Sequence, residues 1–167
     1  MQETRSLVIY LDTSVISAYF DDRTRSRQKD TRSFWRLSND FQFVISRLVV
    51  REIQQTQEAS QRNQMLALIE SLSFLPVNPA VGLLANDFTS ENLVPAKKFD
   101  DAQHLALAVV HGVDFLVSWN FKHMVNYRTI QKLPMLAAKN GYFKPLGIIT
   151  PEAFINELGQ EEKDELT

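Results

Sequence analysis

The stretch Leu7-Val-Ile-Tyr-Leu11, followed by Asp12-Thr-Ser14, indicates the fold class of the chain. Five consecutive apolar residues that end at a carboxylate are typical of a strand buried on both faces of a parallel sheet. Short apolar runs recur at 41–45, 73–77, 114–118 and 146–150. Because segments with helical patterns lie between them, we expect an α/β protein with three layers, α/β/α, around a central, mostly parallel sheet of about five strands.

Six segments have helical patterns, at 31–37, 48–57, 65–72, 79–88, 100–111 and within 124–140. The segment 100–111 is apolar almost all round, which predicts a central, buried helix. Ser46 is a candidate N-cap for the helix after the second strand. Pro79 stands near a helix start, where a missing backbone N–H does no harm.

The composition limits the organisation of the chain. A length of 167 residues with 44% hydrophobic content suits one globular domain. The absence of cysteine excludes disulfides, thiolate zinc sites and cysteine nucleophiles. We expect a single domain over 1–156 and an acidic tail over 157–167. The apolar runs are too short for a membrane span or a signal peptide, so we expect a soluble, cytoplasmic protein.

The net charge of −2 averages unlike segments of the chain. Between residues 23 and 51 there are eight basic and two acidic residues. This stretch is either a solvated helical face or a surface for RNA, and both interpretations stay open. Arg25, Arg27 and Lys122 are the candidate RNA-binding residues.

Polar residues follow the strands at the edge where open parallel α/β sheets bind ligands. Asp114 lies at the other end of the fourth strand, roughly 20 Å from Asn120 along an extended chain, so we exclude it. The candidates at the carboxyl edge are Asp12, Thr13, Ser14, Glu52, Asp100, Asp101, Ser118 and Asn120.

Each acid also has a structural interpretation. Asp12 can cap the segment that follows it, Glu52 can pair with a nearby arginine, and one of the two adjacent aspartates can cap its helix. If Asp12, Glu52 and Asp101 converge, their charges repel unless a proton or a cation is present. Oxygen ligands without Cys or His suit Mg²⁺ or Mn²⁺, which activate water in phosphoryl transfer.

Four segments resemble, in order, the motifs of PIN-domain ribonucleases. With the apolar run 146–150 as a fifth strand, the resemblance covers nearly the whole chain, and it implies a PIN-like fold. The nearest group looks like the virulence-associated protein C toxins of prokaryotic toxin–antitoxin pairs. The segments are Val8-Ile-Tyr-Leu-Asp12-Thr-Ser14, Ile45-Ser-Arg-Leu-Val-Val-Arg-Glu52-Ile, Asp101-Ala-Gln-His-Leu-Ala-Leu-Ala108 and Phe115-Leu-Val-Ser-Trp-Asn120-Phe-Lys-His123.

The resemblance implies a Mg²⁺-dependent (or Mn²⁺-dependent) endoribonuclease that leaves a 5′-phosphate and a 3′-hydroxyl. Asp12, Glu52 and Asp101 carry over as metal ligands. Asn120 stands where the family often has a fourth acid, so it joins the catalytic set without a charge. RNA, a small antitoxin protein and a second copy of the chain are the implied partners. The supporting residues are Thr13, Ser14, Asp100 and Ser118.

Other functions stay open beside this one. Because Asn120 brings no charge, the chain could be a PIN-like module that binds RNA or protein without cutting. A phosphatase of the haloacid-dehalogenase type is disfavoured, since Ser14 stands where that family has a second Asp. Scattered glycines disfavour a phosphate-cradling loop. We expect His104 and His123 to pack or to hydrogen-bond locally, and Trp119 to lie in the core or at its rim.

Overall fold

The computed structural model describes residues 6–159. Five strands form one sheet in the order β3-β2-β1-β4-β5, and every neighbouring pair is parallel. This confirms the α/β class and makes the sheet wholly parallel. Each predicted apolar run overlaps a strand: β1 Val8–Leu11, β2 Gln42–Ser46, β3 Ser73–Leu75, β4 Phe115–Val117 and β5 Gly147–Ile149.

Eight α-helices within residues 6–159 connect and cover the strands, and each of the six predicted helical segments overlaps one of them. The sequence patterns do not predict α1 and α8. β-branched and aromatic residues, which have low helix propensity, make up much of α1, and the packing of Val15 and Ile16 in the core outweighs this. The helices are α1 Thr13–Phe20, α2 Arg25–Trp35, α3 Arg47–Gln54, α4 Ala59–Ile69, α5 Pro79–Ser90, α6 Phe99–Val110, α7 Tyr127–Lys139 and α8 Pro151–Leu158.

Two hydrophobic clusters, one on each face of the sheet, give the molecule its three layers. Successive residues of β1 point to opposite faces. Tyr10 packs in a cluster with α5, α6 and α7, whereas Ile9 and Leu11 pack in one with α1, α2, α4 and α8. Seven of the twelve residues of α6 are buried, which confirms the predicted central helix.

Two polar residues at helix starts do not use their side chains to cap the helix. Asp12 and Ser46 stand at the N-cap positions of α1 and α3, but neither side chain makes a capping hydrogen bond. Ser46 is therefore the N-cap residue, as predicted, but its hydroxyl contacts Tyr10 and makes no capping hydrogen bond. Asp100 and Asp101 lie in the first turn of α6, where negative charge is favourable, and its N-cap position is Lys98. Pro79 does stand at the start of α5.

The carboxyl-terminal segment is only partly described. Helix α8 continues to Leu158, so Glu157 and Leu158 of the predicted tail are helical. Residues 160–167, which hold the remaining tail acids, lie outside the described residues. Within residues 6–159, no helix is both long enough and apolar enough to cross a membrane.

Candidate functional site

The carboxyl ends of β1 and β4 meet at the centre of the sheet. The chain runs from β1 through β2 to β3 on one side and then crosses to β4 and β5 on the other. The strand order therefore reverses between β1 and β4, and open α/β sheets bind ligands at such a point. Asp12 follows β1 and Ser118 follows β4, and the backbone N–H of Asp12 donates to the carbonyl of Val117 across the junction (3.5 Å).

Asp12 is buried at this junction, with 4% of its surface exposed. Its carboxylate accepts a hydrogen bond from the hydroxyl of Ser14 (2.6 Å), and within residues 6–159 no Lys or Arg forms an ion pair with it. Burial raises the pKa of Asp12 to about 6, although the charge of His104 and the hydroxyls of Ser14 and Ser118 act in the other direction. A buried carboxyl group with a shifted pKa is a functional-site candidate.

The two serines beside Asp12 connect it to the turn after β4. The Ser14 hydroxyl lies 3.4 Å from that of Ser118 and accepts the backbone N–H of Trp119 (2.9 Å). The Ser118 hydroxyl accepts the backbone N–H of Asn120 (2.9 Å). Both serines were predicted as supporting residues, and the structure places both against Asp12.

Glu52 on α3 contacts His104 on α6 inside the protein. The His104 Nε2–H donates to Glu52 Oε1 (2.5 Å), and the side chain of His104 is 1% exposed. Burial lowers the pKa of His104, but the hydrogen bond and charge of Glu52, followed by the charges of Asp12 and Asp101, more than offset it and raise the pKa overall. The sequence interpretation in which Glu52 pairs with a nearby arginine is therefore wrong.

A buried tyrosine continues this hydrogen-bond chain. Tyr10 Oη lies 2.7 Å from His104 Nδ1 and 2.9 Å from Ser46 Oγ. Burial raises the pKa of the Tyr10 phenol, so the phenol keeps its proton. With His104 charged, both imidazole N–H groups donate, one to Glu52 and one to Tyr10, and Tyr10 then donates to Ser46. The chain Ser46–Tyr10–His104 thereby holds the Glu52 carboxylate in one orientation.

The adjacent acids at the start of α6 have different partners. Asp101 accepts the Nδ1–H of His123 (2.7 Å). Asp100 instead forms an ion pair with Arg51 (3.0 Å), in which both side chains are at least half exposed. Asn120 uses its side-chain oxygen to accept the backbone N–H of His123 (3.0 Å), so it closes the turn after β4. Both histidines are thus buried and hydrogen-bonded, as the sequence predicts, but their side-chain partners are distant in sequence and not local.

The three predicted metal ligands lie around the side chain of His104, but they do not converge on a shared metal position. Asp12, Glu52 and Asp101 all raise the pKa of His104, so all three lie within electrostatic reach of it. In the described part of the chain, however, no three His, Asp or Glu side chains are close enough together to hold a metal ion. The hydroxyl of Thr13, predicted as supporting, is buried and has no hydrogen-bond partner among residues 6–159.

A cavity of about 300 Å³ opens beside the acids and contains two lysines that the sequence analysis missed. Lys97 and Lys98 form a short 3₁₀ turn directly before α6. The sequence signal that could have identified them is the pair of lysines one residue before the Asp-Asp pair, with Phe99 between the two pairs. They bring two positive charges to a cavity whose other lining residues include three acids. The lining residues are Glu52, Lys97, Lys98, Phe99, Asp100 and Asp101.

The two arginines predicted to bind RNA do not share a surface. Arg25 lines a surface cavity with Lys29, Arg32 and Arg36. The guanidinium of Arg27 instead lies 5.0 Å from the ring centre of Trp119, at the turn after β4.

That turn also carries the remaining residues predicted for this surface. Trp119 is 8% exposed, which agrees with a place at the rim of the core. Lys122, the third candidate for RNA binding, is exposed in the same turn. Of the three candidates, Arg27 and Lys122 therefore belong to the end of the sheet that holds Asp12.

No protein-family model matches the chain, and no curated protein matches it. The likeness to PIN-domain ribonucleases therefore rests on the four sequence motifs and stays a prediction. The wholly parallel sheet and the gathering of the motif residues at its carboxyl edge are the structural facts that any proposed function has to use.

Proposed function

We propose that the chain is a metal-dependent endoribonuclease of the PIN type. The proposal is supported by three acids from three separate elements at the switch point of the sheet, none of which is paired with Lys or Arg among residues 6–159. The chemistry of this donor set fits a hard divalent cation such as Mg²⁺ or Mn²⁺. Asp12, Glu52 and Asp101 would hold the ion, which when bound supplies an activated water and offsets phosphate charge.

The remaining residues of the site orient these acids and attract the substrate. Ser14 holds Asp12, His104 holds Glu52, and His123 holds Asp101. Hydrogen-bond partners of this kind fix ligating groups in place and tune their affinity for a metal. Lys97 and Lys98 attract the phosphate backbone electrostatically, independently of RNA sequence.

The test is cleavage of an end-labelled single-stranded RNA by the purified protein. We expect cleavage with Mg²⁺ or Mn²⁺, none with a chelator, and products with a 5′-phosphate and a 3′-hydroxyl. Asp101→Asn and Glu52→Gln should abolish it. Asp100→Asn is the matched control and should retain it, because Asp100 pairs at the surface with Arg51. Equal rates for wild type and Asp101→Asn would contradict the proposal and would identify a contaminating nuclease.

A second candidate function is RNA binding without cleavage. Asn120 supports it, since this side chain replaces a charged ligand and its oxygen already accepts the N–H of His123. The described acids also do not converge as a metal site. A wild-type protein that binds RNA tightly and leaves it intact in Mg²⁺ and in Mn²⁺ would favour this function over the nuclease.

The resemblance to virulence-associated protein C toxins extends the proposal to a cellular role. In that role the chain cleaves RNA in the cytoplasm, a small antitoxin protein blocks it, and two copies form a dimer. Induced expression should then arrest growth, and expression of Asp12→Asn should not. A short reading frame directly upstream whose product restores growth would identify the antitoxin, and the mass of the purified protein in solution would establish the dimer.

A further inference from the structure

A half-exposed aromatic ring lies in the turn after β4, on the side of the molecule that carries the acids. Phe121 is 49% exposed, and the Arg27 guanidinium lies 5.7 Å from its ring centre. We propose that Phe121, with Arg27 and Trp119, forms a stacking subsite for one unpaired base of a single-stranded RNA. The choice of RNA as the ligand rests on the proposed function, whereas the subsite itself rests on the geometry of these three side chains.

Neighbouring side chains hold the Phe121 ring in place. The ring centres of Trp119 and Phe121 are 6.3 Å apart, and the Arg27 guanidinium contacts both rings. The indole N–H of Trp119 donates to the hydroxyl of Thr31 on α2 (2.9 Å). Helix α2 and the turn after β4 are therefore joined at this point, and Phe121 is presented on a fixed support.

Two hydrogen bonds connect the subsite to Asp12. The backbone N–H of Trp119 donates to the Ser14 hydroxyl, which in turn donates to the Asp12 carboxylate. Two hydrogen bonds thus separate the support of the ring from the buried acid. A base that stacks on Phe121 would bring its own sugar–phosphate backbone to the edge of the sheet where the acids lie.

The chemistry of the three side chains favours an unpaired base over other ligands. Aromatic rings and arginine planes are the surfaces on which proteins stack the bases of single strands. Arginine over an aromatic face adds a cation–π attraction and positive charge for the phosphates. A base inside a duplex has both faces covered by its neighbours, so only an unpaired base can reach the ring.

Other exposed aromatic residues provide an internal control. Tyr127 is 81% exposed, and among residues 6–159 no arginine or lysine lies over its ring. It begins α7, six residues after Phe121. Loss of the Tyr127 ring should therefore remove a similar apolar surface without affecting stacking at the turn.

The experiment measures the affinity of the full chain for a fluorescent single-stranded RNA, with a chelator present to prevent cleavage. Because a stacked base contact is lost, Phe121→Ala should weaken binding about tenfold or more, which corresponds to at least about 1.4 kcal/mol. Phe121→Leu, which keeps apolar bulk without a ring, should behave in the same way, and Phe121→Trp should bind like wild type. Tyr127→Ala should bind like wild type, and binding of a long duplex, in which nearly all bases are covered on both faces, should respond little to any of these changes.

A fluorescent base analogue provides a readout that a purely structural role would not change. With 2-aminopurine placed at successive positions of the RNA, wild type and Phe121→Trp should quench it strongly at one position, and Phe121→Leu should not. If Phe121→Leu quenches and binds as wild type does, or if the wild type binds no single-stranded RNA, the subsite is refuted. If Phe121→Leu quenches and binds as wild type does but the protein still cleaves RNA with a metal, the nuclease proposal stands without the subsite. Ring-dependent quenching by a protein that never cleaves would support the subsite and refute the nuclease.

Discussion

Asp12 and Asp114 are acids at opposite ends of neighbouring strands, and their surroundings differ in kind. Asp114, just before β4, accepts the backbone N–H of Val8 (2.8 Å) and lies 3.1 Å from the ammonium group of Lys144. Asp12, just after β1, has a serine hydroxyl as a partner and no Lys or Arg ion pair within the described chain. Asp114 thus has a cation and a backbone donor, whereas Asp12 is buried and has neither among the described residues.

The difference indicates which of the two acids stabilises the fold. The partners of Asp114 offset the loss of water around its carboxylate, so it can join β1 to β4 at their amino-terminal ends. Burial raises the pKa of Asp12 to about 6, which means that the folded protein disfavours its charged form. Because no Lys or Arg ion pair within the described chain offsets this cost, the Asp12 carboxylate is available to bind a cation or a substrate.

The largest expected effect is on RNA cleavage and separates the two acids directly. Asp12→Asn should lower the rate in Mg²⁺ about a thousandfold or more, which corresponds to about 4 kcal/mol of barrier height. Asp114→Asn should retain most of the rate, because Asp114 lies at the opposite end of the sheet. Initial rates on one RNA, measured for variants that are equally folded at the assay temperature, provide the measurement. Similar losses of cleavage rate in Asp12→Asn and Asp114→Asn would contradict a role in catalysis for Asp12 alone.

The second prediction concerns stability against pH in metal-free protein. The folded pKa of Asp12, about 6, lies above its unfolded value. This group therefore contributes stability at low pH that is lost as pH rises through about 6. Asp12→Asn should gain stability relative to wild type between pH 4 and pH 7.5, by up to about 3 kcal/mol.

Unfolding by urea at several pH values, with a chelator present, provides the free energies of unfolding for this test. A difference between variant and wild type that is the same at every pH would show that Asp12 is not destabilised by burial. Added Mg²⁺ should stabilise the wild type more than Asp12→Asn, since binding to the folded state alone raises stability.

A third, smaller effect is expected at Asp114. Asp114→Ala leaves the backbone N–H of Val8 without its acceptor and breaks the pair with Lys144, so the free energy of unfolding should fall by about 1–2 kcal/mol. Lys144→Ala keeps the Val8 hydrogen bond and should cost less, because exposed ion pairs contribute little. Thermal unfolding of the two variants checks this order, and the reverse order would contradict it.

The smallest expected effect concerns the end of the sheet from which RNA approaches. Arg27→Gln, at the Asp12 end, should weaken binding of single-stranded RNA a few-fold and should reduce the salt slope by about 0.7, the value for one phosphate contact. Lys144→Gln, at the Asp114 end, should change neither quantity. Arg25→Gln should have a smaller effect than Arg27→Gln, since Arg25 lies in a different cavity. Titrations at several salt concentrations check these expectations, and equal effects of Arg27→Gln and Lys144→Gln would contradict them.

The strands could be predicted because a strand buried on both faces has to be apolar at successive positions. All five runs of this kind overlap a strand. The sequence does carry a signal for α8, since the Thr150 hydroxyl accepts the backbone N–H of Ala153 and Pro151 occupies the first turn. Helix α1 has a start signal in Asp12 but no supporting helical pattern, because its β-branched and aromatic residues favour a strand locally.

The candidate acids could be proposed because polar residues at the carboxyl ends of parallel strands converge in any fold of this class. Their partners could not be proposed with the same detail. Glu52 and His104 are 52 residues apart, and their contact depends on how α3 and α6 rotate against the sheet. The same holds for Arg27 over Trp119, which requires α2 to lie beside the turn after β4.

Sequence patterns alone were therefore sufficient for the layer architecture and for the edge of the sheet at which the acids lie. The layers follow from the apolar runs and the helical patterns between them, which identify buried elements. The edge follows because polar residues come directly after strands of a parallel sheet. Three features required the folded chain: the burial of Asp12 with hydroxyl partners, the different partners of Asp100 and Asp101, and the half exposure of Phe121. These features depend on the distances between side chains of separate elements, and helix packing against the sheet sets those distances.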